Sequence, residues 1–239
     1  LSRQKSITLR RRSKYLLADL SGGETLLIHL GMSGRILISG DPLGIFATNQ
    51  PSKQKHDHVI LGFSNGARLT YNDPRRFGAM DMFETLKESQ NKYLMHIGPE
   101  PLSNKFDEAY FAEIAKSRKS PIKNVLLDQR IVAGLGNIYV CESLYRTRIS
   151  PKIKACNISK ERLSKLVPQI RSVLEEAIIA GGSSLRDFRR ADGELGYFQH
   201  SFAVYGREGK RCPTLDCTGK IARVVQSGRS TFYCPKCQK

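Results

Sequence analysis

The feature that most constrains this chain lies near its end. Four of its six cysteines are spaced as Cys212-x4-Cys217, sixteen residues, then Cys234-x2-Cys237. Two short-spaced pairs separated by about 15–20 residues form two knuckles that close a sulfur cage around one structural Zn2+. Four thiolates leave no open position for water, so a catalytic zinc is not expected. The competing arrangement, two disulfides in a small tail, needs an oxidising compartment. Cys141 and Cys156 lie in helix-like contexts and read as reduced core or surface thiols. Between the pairs runs TGKIARVVQSGRSTFY. Its residues 221–225 and 231–233 are strand-like and flank Ser227-Gly228-Arg229-Ser230, which predicts a β-hairpin with Arg229 at or near the tip. An arginine there is either solvated or a probe into a DNA groove.

Charge points the same way. Lys+Arg number 39 against 22 Asp+Glu, a net +17 over 239 residues, and a zinc–tetrathiolate centre of −2 would leave about +15. That excess predicts a polyanionic partner, nucleic acid ahead of a membrane surface. Hydrophobic residues make up 40%, enough for a real core, and no apolar run approaches the roughly 18 residues of a membrane span. The opening LSRQKSITLRRRSKYLL is basic without the apolar segment of a secretion signal. It begins with Leu1 rather than Met, which suggests a fragment or a processed product.

The first third reads as antiparallel β: YLLADL (15–20), TLLIHL (25–30), GRILIS (34–39), DHVILGF (57–63), ARLTYN (67–72) and GAMDMFE (78–84). Ser64-Asn65-Gly66 is a hairpin signal, and residues 40–56 read as a long exposed loop. From about residue 105 the period becomes helical. Asp107 can N-cap a helix carrying Tyr110, Phe111 and Ile114. Ser120-Pro121 reads as an N-cap and first-position proline opening residues 122–127. Gly134-Leu135-Gly136-Asn137 starts a helix to about Arg146. Residues 159–180 are amphipathic, with Pro168 implying an early kink or a late start. Residues 181–199 form a Gly-, Ser- and charge-rich loop. The expected class is α+β: a β-sandwich at 1–88, a helical domain at 105–200 containing that loop, and a zinc finger at 204–239.

Three groups could bind nucleic acid. The GLGN turn resembles a phosphate-binding turn at a helix N-terminus; with Lys123 on the preceding helix, Lys123 and Asn137 could grip one phosphate from both sides. In Asp73-Pro74-Arg75-Arg76-Phe77-Gly78, Phe77 is either a core residue or a wedge stacked into a base step, with Arg75 filling a vacated pairing site. Met32, in a neighbouring Gly-Met-Ser-Gly turn, is core or a second wedge. Lys14 ends a basic run (Arg10, Arg11, Arg12) that is solvated or faces phosphate.

RRSKYLL, HLGMSGR, HDHV, NDPRRFGAM, IKNVLLDQRIVAGLGNIYVCESLYR, AGGSSLRDFRRADGELGYFQHSFAVYGREG and GRSTFYCPKCQ together resemble the formamidopyrimidine-DNA glycosylase family, nearly end to end. The resemblance implies a bacterial base-excision repair enzyme, cytoplasmic and nucleoid-associated. Such an enzyme is a monomer on double-stranded DNA, removes 8-oxoguanine and ring-opened purines, and then cleaves the abasic strand. It implies an N-terminal β-sandwich, a helix–two-turn–helix domain and a C-terminal zinc finger, with DNA in the cleft between. It assigns Lys14 to phosphate and base at the catalytic site, and Met32, Arg75 and Phe77 to the hole left by the everted nucleotide. Lys123 and Asn137 become the phosphate clamp, and Arg229 the hairpin contact to the backbone at the lesion. Ser183, Ser184 and Tyr197 belong to the loop over the everted base, and Cys212, Cys217, Cys234 and Cys237 to zinc.

Two departures stand out. The family's N-terminal proline, whose amine attacks C1′, and the glutamate beside it have no counterpart in the sequence. The chain as written is therefore expected to lack base excision, to keep at most a weak lyase activity through Lys14, and to expose a sheet edge. The first zinc knuckle is x4 where the family usually has x2. The alternatives are an endonuclease VIII-type glycosylase for oxidised pyrimidines, a non-catalytic lesion-binding protein, and an RNA-binding zinc module. The pairing of Arg75 and Phe77 with the long 181–199 loop favours the purine-specific enzyme.

Overall fold

The computed structural model describes residues 4–40, 55–183 and 196–239. The chain divides into two compact units, Leu1–Asn91 with Ala180–Gln199, and Lys92–Ile179 with His200–Lys239.

The first unit is built from antiparallel strands β1 (Ser6–Arg12), β2 (Tyr15–Leu20), β3 (Glu24–His29), β4 (Arg35–Ser39), β5 (Asp57–Gly62), β6 (Arg68–Asn72) and β7 (Ala79–Glu84). They form a four-stranded sheet, β1-β2-β3-β7, and a three-stranded sheet, β4-β6-β5. Alternation decides which residues face inward. Ala18 pairs with Leu26 and Leu26 with Met82, while Ile28 pairs with Met80, so these side chains share one face of the larger sheet. Leu26 and Ile28 then pack with Tyr71, Ile36, Val59 and Leu61 of the smaller sheet, which makes the sandwich. Arg10, Arg11 and Arg12 of the basic run, which precede the strand expected at 15–20, themselves lie in β1. Its Arg10 reaches across to Asp19 through two hydrogen bonds of 2.8 and 2.9 Å, so a cross-strand ion pair carries the charge into a sheet. The expected loop at 40–56 lies almost wholly outside the described residues.

In the second unit, α1 (Glu108–Ser117) is capped as its sequence implies, with the Asp107 carboxylate accepting from Tyr110 N at 2.7 Å. The next helix, α2 (Ile122–Leu127), corrects one detail. Pro121, extended at ψ 140°, is itself the N-cap and provides no side-chain hydrogen bond, so Ser120 lies outside. Helix α3 (Asn137–Arg146) begins where the GLGN turn predicts. Helix α4 (Lys160–Ile179) has no late start and runs through Pro168 as one element. An internal proline costs about 3 kcal/mol. Burial of Leu163, Leu166, Val167, Ile170 and Val173, each worth about 1.5–3 kcal/mol, outweighs it. Of these, Leu163, Leu166, Val167 and Ile170 join Phe106, Phe111, Leu126, Leu135 and Leu144 in the helical core.

The C-terminal strands β8 (Ala222–Gln226) and β9 (Arg229–Tyr233) pair antiparallel. Ser227 and Gly228 connect them with φ of 47° and 73°, the positive pair of a type I′ hairpin turn. Val204, Ile221 and Phe232 form a core with Cys141 and Tyr145 of α3, so the hairpin is docked on that helix. Cys141 is buried and Cys156 exposed, both as free thiols. Among the described residues, no helix is long and apolar enough to cross a membrane.

Candidate nucleic-acid interface and zinc centre

The four cysteine thiols of the two knuckles converge. Their sulfurs all lie within 4.8 Å of one another, with Cys212–Cys237 at 3.7 Å and Cys217–Cys234 at 3.8 Å. A tetrahedron with Zn–S bonds of 2.3 Å has edges of about 3.8 Å, so the cage fits one zinc ion. A Cβ on Gly219 would sit 2.9 Å from Cys234 Sγ and 3.2 Å from Cys217 Sγ, which reserves that position for glycine. The x4 knuckle is braced from α3: Tyr145 Oη lies 2.7 Å from Thr214 Oγ1 and 3.5 Å from Cys212 Sγ. Burial raises the Cys212 thiol, but hydrogen bonds from Tyr145 and Thr214 outweigh it and bring it down to about 6, toward the thiolate a metal takes. Gln238 closes the second knuckle, accepting from Cys234 N at 2.8 Å and donating to Ile149 O at 2.9 Å.

Beside the metal, the two-turn segment and the hairpin meet. Gln129 shapes the turn, its Oε1 accepting from Gly134 N at 2.8 Å and its Nε2 donating to Leu127 O and Leu135 O. Asn137, half-buried at the start of α3, donates to Ser230 O at 2.8 Å and reaches Tyr205 Oη at 3.4 Å. Asn124 Nδ2 donates to Ser227 Oγ at 3.0 Å. Arg229 is exposed immediately after that turn.

Lys123 departs from its expected place. Its side chain is fully buried, and its ammonium donates to Thr231 Oγ1 at 2.7 Å and Ser230 O at 3.3 Å. Burial, with a further contribution from the Arg229 guanidinium, pushes it below the usual lysine value. An ammonium committed to β9 does not reach out to a phosphate. The structure makes it a strut under the hairpin, because the hairpin docks on the helix face that carries it.

In the first unit, the loop turns of the sandwich gather the other predicted residues. Lys14 is exposed in the β1–β2 turn, after Ser13 with φ 54°. His29, packed against Tyr15 with centroids 4.9 Å apart and ring planes tilted by 37°, is held below its ordinary value by burial and by Lys14. Met32 is 70% exposed and Phe77 59%, so neither is a core residue. Arg75 lies over the Phe77 ring, 4.8 Å from its centroid. The two turns carrying these side chains touch: a Cβ on Gly31 (φ +63°) would lie 2.6 Å from the carbonyl carbon of Phe77.

Of the loop residues, Ser183 and Tyr197 form a β-bridge, with Tyr197 N donating to Ala180 O and Phe198 N to Gly182 O. Tyr197 is exposed. Ser184 lies outside the described residues.

Sequence reasoning passed over four residues that organise these sites: Asp73, Glu142, Tyr145 and Tyr205. The Asp-Pro dipeptide was a turn signal that could have flagged Asp73. The others act through tertiary contacts that no local pattern encodes.

Comparison with known proteins covers the same three modules. The formamidopyrimidine-DNA glycosylase N-terminal domain matches residues 1–80, the formamidopyrimidine-DNA glycosylase H2TH domain residues 97–189, and a zinc finger found in FPG and IleRS residues 209–239. The chain is 63% identical over 239 residues to the formamidopyrimidine-DNA glycosylase of Ruegeria pomeroyi, covering 100% of this chain and 84% of that protein. It is 64% identical over 231 residues to that of Roseobacter denitrificans, covering 97% and 82%. Among solved structures, the MutM (Fpg) protein of Thermus thermophilus superposes with a TM-score of 0.85 at 38% identity, covering 98% of this chain and 83% of that one. A complex of Lactococcus lactis Fpg with DNA containing an abasic site gives 0.87 at 33% identity, covering 99% and 83%. With matches of this extent in every module, the chain belongs to the formamidopyrimidine-DNA glycosylase family.

Proposed function

We propose that this protein acts in base-excision DNA repair, removing oxidised purines as an N-glycosylase and nicking the resulting abasic site as a lyase. The observation that carries the reading is the match of all three modules to one glycosylase family. The relatives' names favour it over the pyrimidine-specific alternative. The partner is double-stranded DNA carrying an oxidised purine or an abasic site, bound by a monomer in the cytoplasm.

The geometry suggests the division of labour. Met32, Arg75 and Phe77, exposed on adjoining turns, fill the hole left by an everted nucleotide. Arg229 and Asn137 hold the backbone, with Lys123 fixing the hairpin beneath them. Asn137 stands at the N-terminus of α3, where the helix dipole favours an anion. Lys14 faces the catalytic site, and Ser183, Ser184 and Tyr197 belong to the loop over the damaged base. Zinc, held by Cys212, Cys217, Cys234 and Cys237, supplies a rigid base for the hairpin and no reacting group.

The test joins this chain to a family-type N-terminal segment beginning Pro-Glu and supplies a duplex with 8-oxoguanine opposite cytosine. In borohydride, the expected result is base excision with a covalent adduct at that proline, whose imine with C1′ is reduced in place. Trapping on oxidised pyrimidines with none on 8-oxoguanine would overturn the purine reading.

A further inference from the structure

The three hole-filling side chains come from two separate turns, and one buried carboxylate holds both. Asp73 is 1% exposed. Its Oδ1 accepts from Ser33 Oγ at 2.8 Å, in the turn that carries Met32. The same oxygen accepts from Arg75 N at 3.3 Å, and Oδ2 accepts from Gly78 N at 2.8 Å, so the carboxylate brackets the turn that carries Arg75 and Phe77. Tyr71 Oη lies 3.3 Å from Asp73 Oδ2 and from His29 O, and the backbone oxygen of Asp73 contacts His58 Nε2 at 2.8 Å. The packing leaves no slack. A Cβ on Gly78 would overlap the Tyr71 hydroxyl, and one on Gly31 would collide with the backbone of Phe77 and Gly78.

We propose that Asp73 is a positioning residue for lesion recognition, locking the Met32 turn to the Arg75–Phe77 turn so that the three side chains enter the duplex as one preformed unit. Its position between the turns is what a wedge requires. The side chains, two apolar and one a guanidinium, must stay exposed while the backbone beneath them resists the duplex, and a charge-assisted hydrogen-bond hub supplies that stiffness. The proposal rests on the hole-filling reading of Met32, Arg75 and Phe77, and the test separates the two.

The experiment measures dissociation constants for a duplex carrying a stable abasic analogue and for the undamaged duplex, with thermal unfolding recorded for each variant. Asp73→Asn replaces an acceptor by an amide that cannot receive both the Ser33 hydroxyl and the Gly78 N–H. Its lesion-to-undamaged preference is expected to fall by about tenfold, with undamaged binding unchanged. In a Phe77→Ala background the same substitution should reduce the preference no further, because it acts through the wedge. Ser33→Ala, which removes only the hydroxyl linking the turns, is expected to lower the preference in the same direction and covers the case in which Asp73→Asn does not fold. Equal loss on both duplexes, or full additivity with Phe77→Ala, would overturn the proposal by making Asp73 a stability residue only. If Phe77→Ala itself leaves the preference unchanged, the hole-filling reading falls and the proposal with it. If Phe77→Ala lowers the preference while Asp73→Asn and Ser33→Ala do not, the proposal alone falls.

Discussion

Glu142 shows how much one buried side chain can organise. It is 1% exposed and accepts three backbone N–H groups, from Ala203 at 2.9 Å, Val204 at 3.0 Å and Tyr205 at 2.8 Å. It thereby ties residues 203–205, where the zinc-finger segment begins, to α3. Replacing it by Gln sets an amide donor against those donors, and thermal unfolding should show a loss of about 2–3 kcal/mol. Removing the exposed Glu161–Lys165 pair should leave the unfolding temperature essentially unchanged, because solvent screens it. Asp19 carries a pH signature. Hydrogen bonds from Arg10, outweighing burial, hold its carboxyl below the usual range. A depressed carboxylate contributes stability that is present above its unfolded value of about 3.9 and lost as pH falls through its lower folded value. Wild type should therefore unfold at a higher temperature than Asp19→Asn at pH 7, and the gap should close only in that acidic window. Neither residue could be read from the sequence. A glutamate inside a helical pattern and an aspartate in a strand look like solvated charges until the fold brings their donors to them.

Elements divide between those that local chemistry dictates and those that tertiary packing settles. The Asp107 cap, the start of α3 at Asn137 and the Asn65-Gly66 turn, where Gly66 adopts φ 86°, were legible because each is a short-range rule. Pro168 was not, because an amphipathic face of buried leucine, isoleucine and valine overrides the local penalty. The direction of Lys123 was not legible either. A lysine two residues after a helix cap reads as solvent-facing until the zinc hairpin is docked on it. The two cations near the hairpin turn therefore differ in what salt reveals. Arg229→Ala should weaken duplex binding and lower the slope of log affinity against log salt by about 1. Lys123→Met removes a buried charge that makes no open phosphate contact, and its slope should stay within about 0.3 of wild type. Equal slope changes would return Lys123 to the phosphate.

At the scale of the whole molecule, the order of β-sandwich, helical segment and zinc hairpin was readable from hydrophobic period and cysteine spacing, since each imposes its own pattern on the chain. The joining of hairpin to helix was not, because Cys141, Tyr145, Val204 and Phe232 meet only in the folded unit. Removal of zinc should accordingly do more than melt the hairpin. Chelation is expected to expose amides of β8, β9 and the C-terminal half of α3 to hydrogen exchange while β2, β3 and β7 stay protected. The central claim is that the protein recognises DNA by occupying the space of a missing base. The most direct measurement is fluorescence anisotropy of the zinc-loaded chain on two duplexes that differ only by a stable abasic analogue. The account predicts a preference for the abasic duplex of about a hundredfold, cut to a few-fold by Phe77→Ala without loss of undamaged binding. Equal affinity for the two duplexes, unaffected by Phe77→Ala, would contradict it.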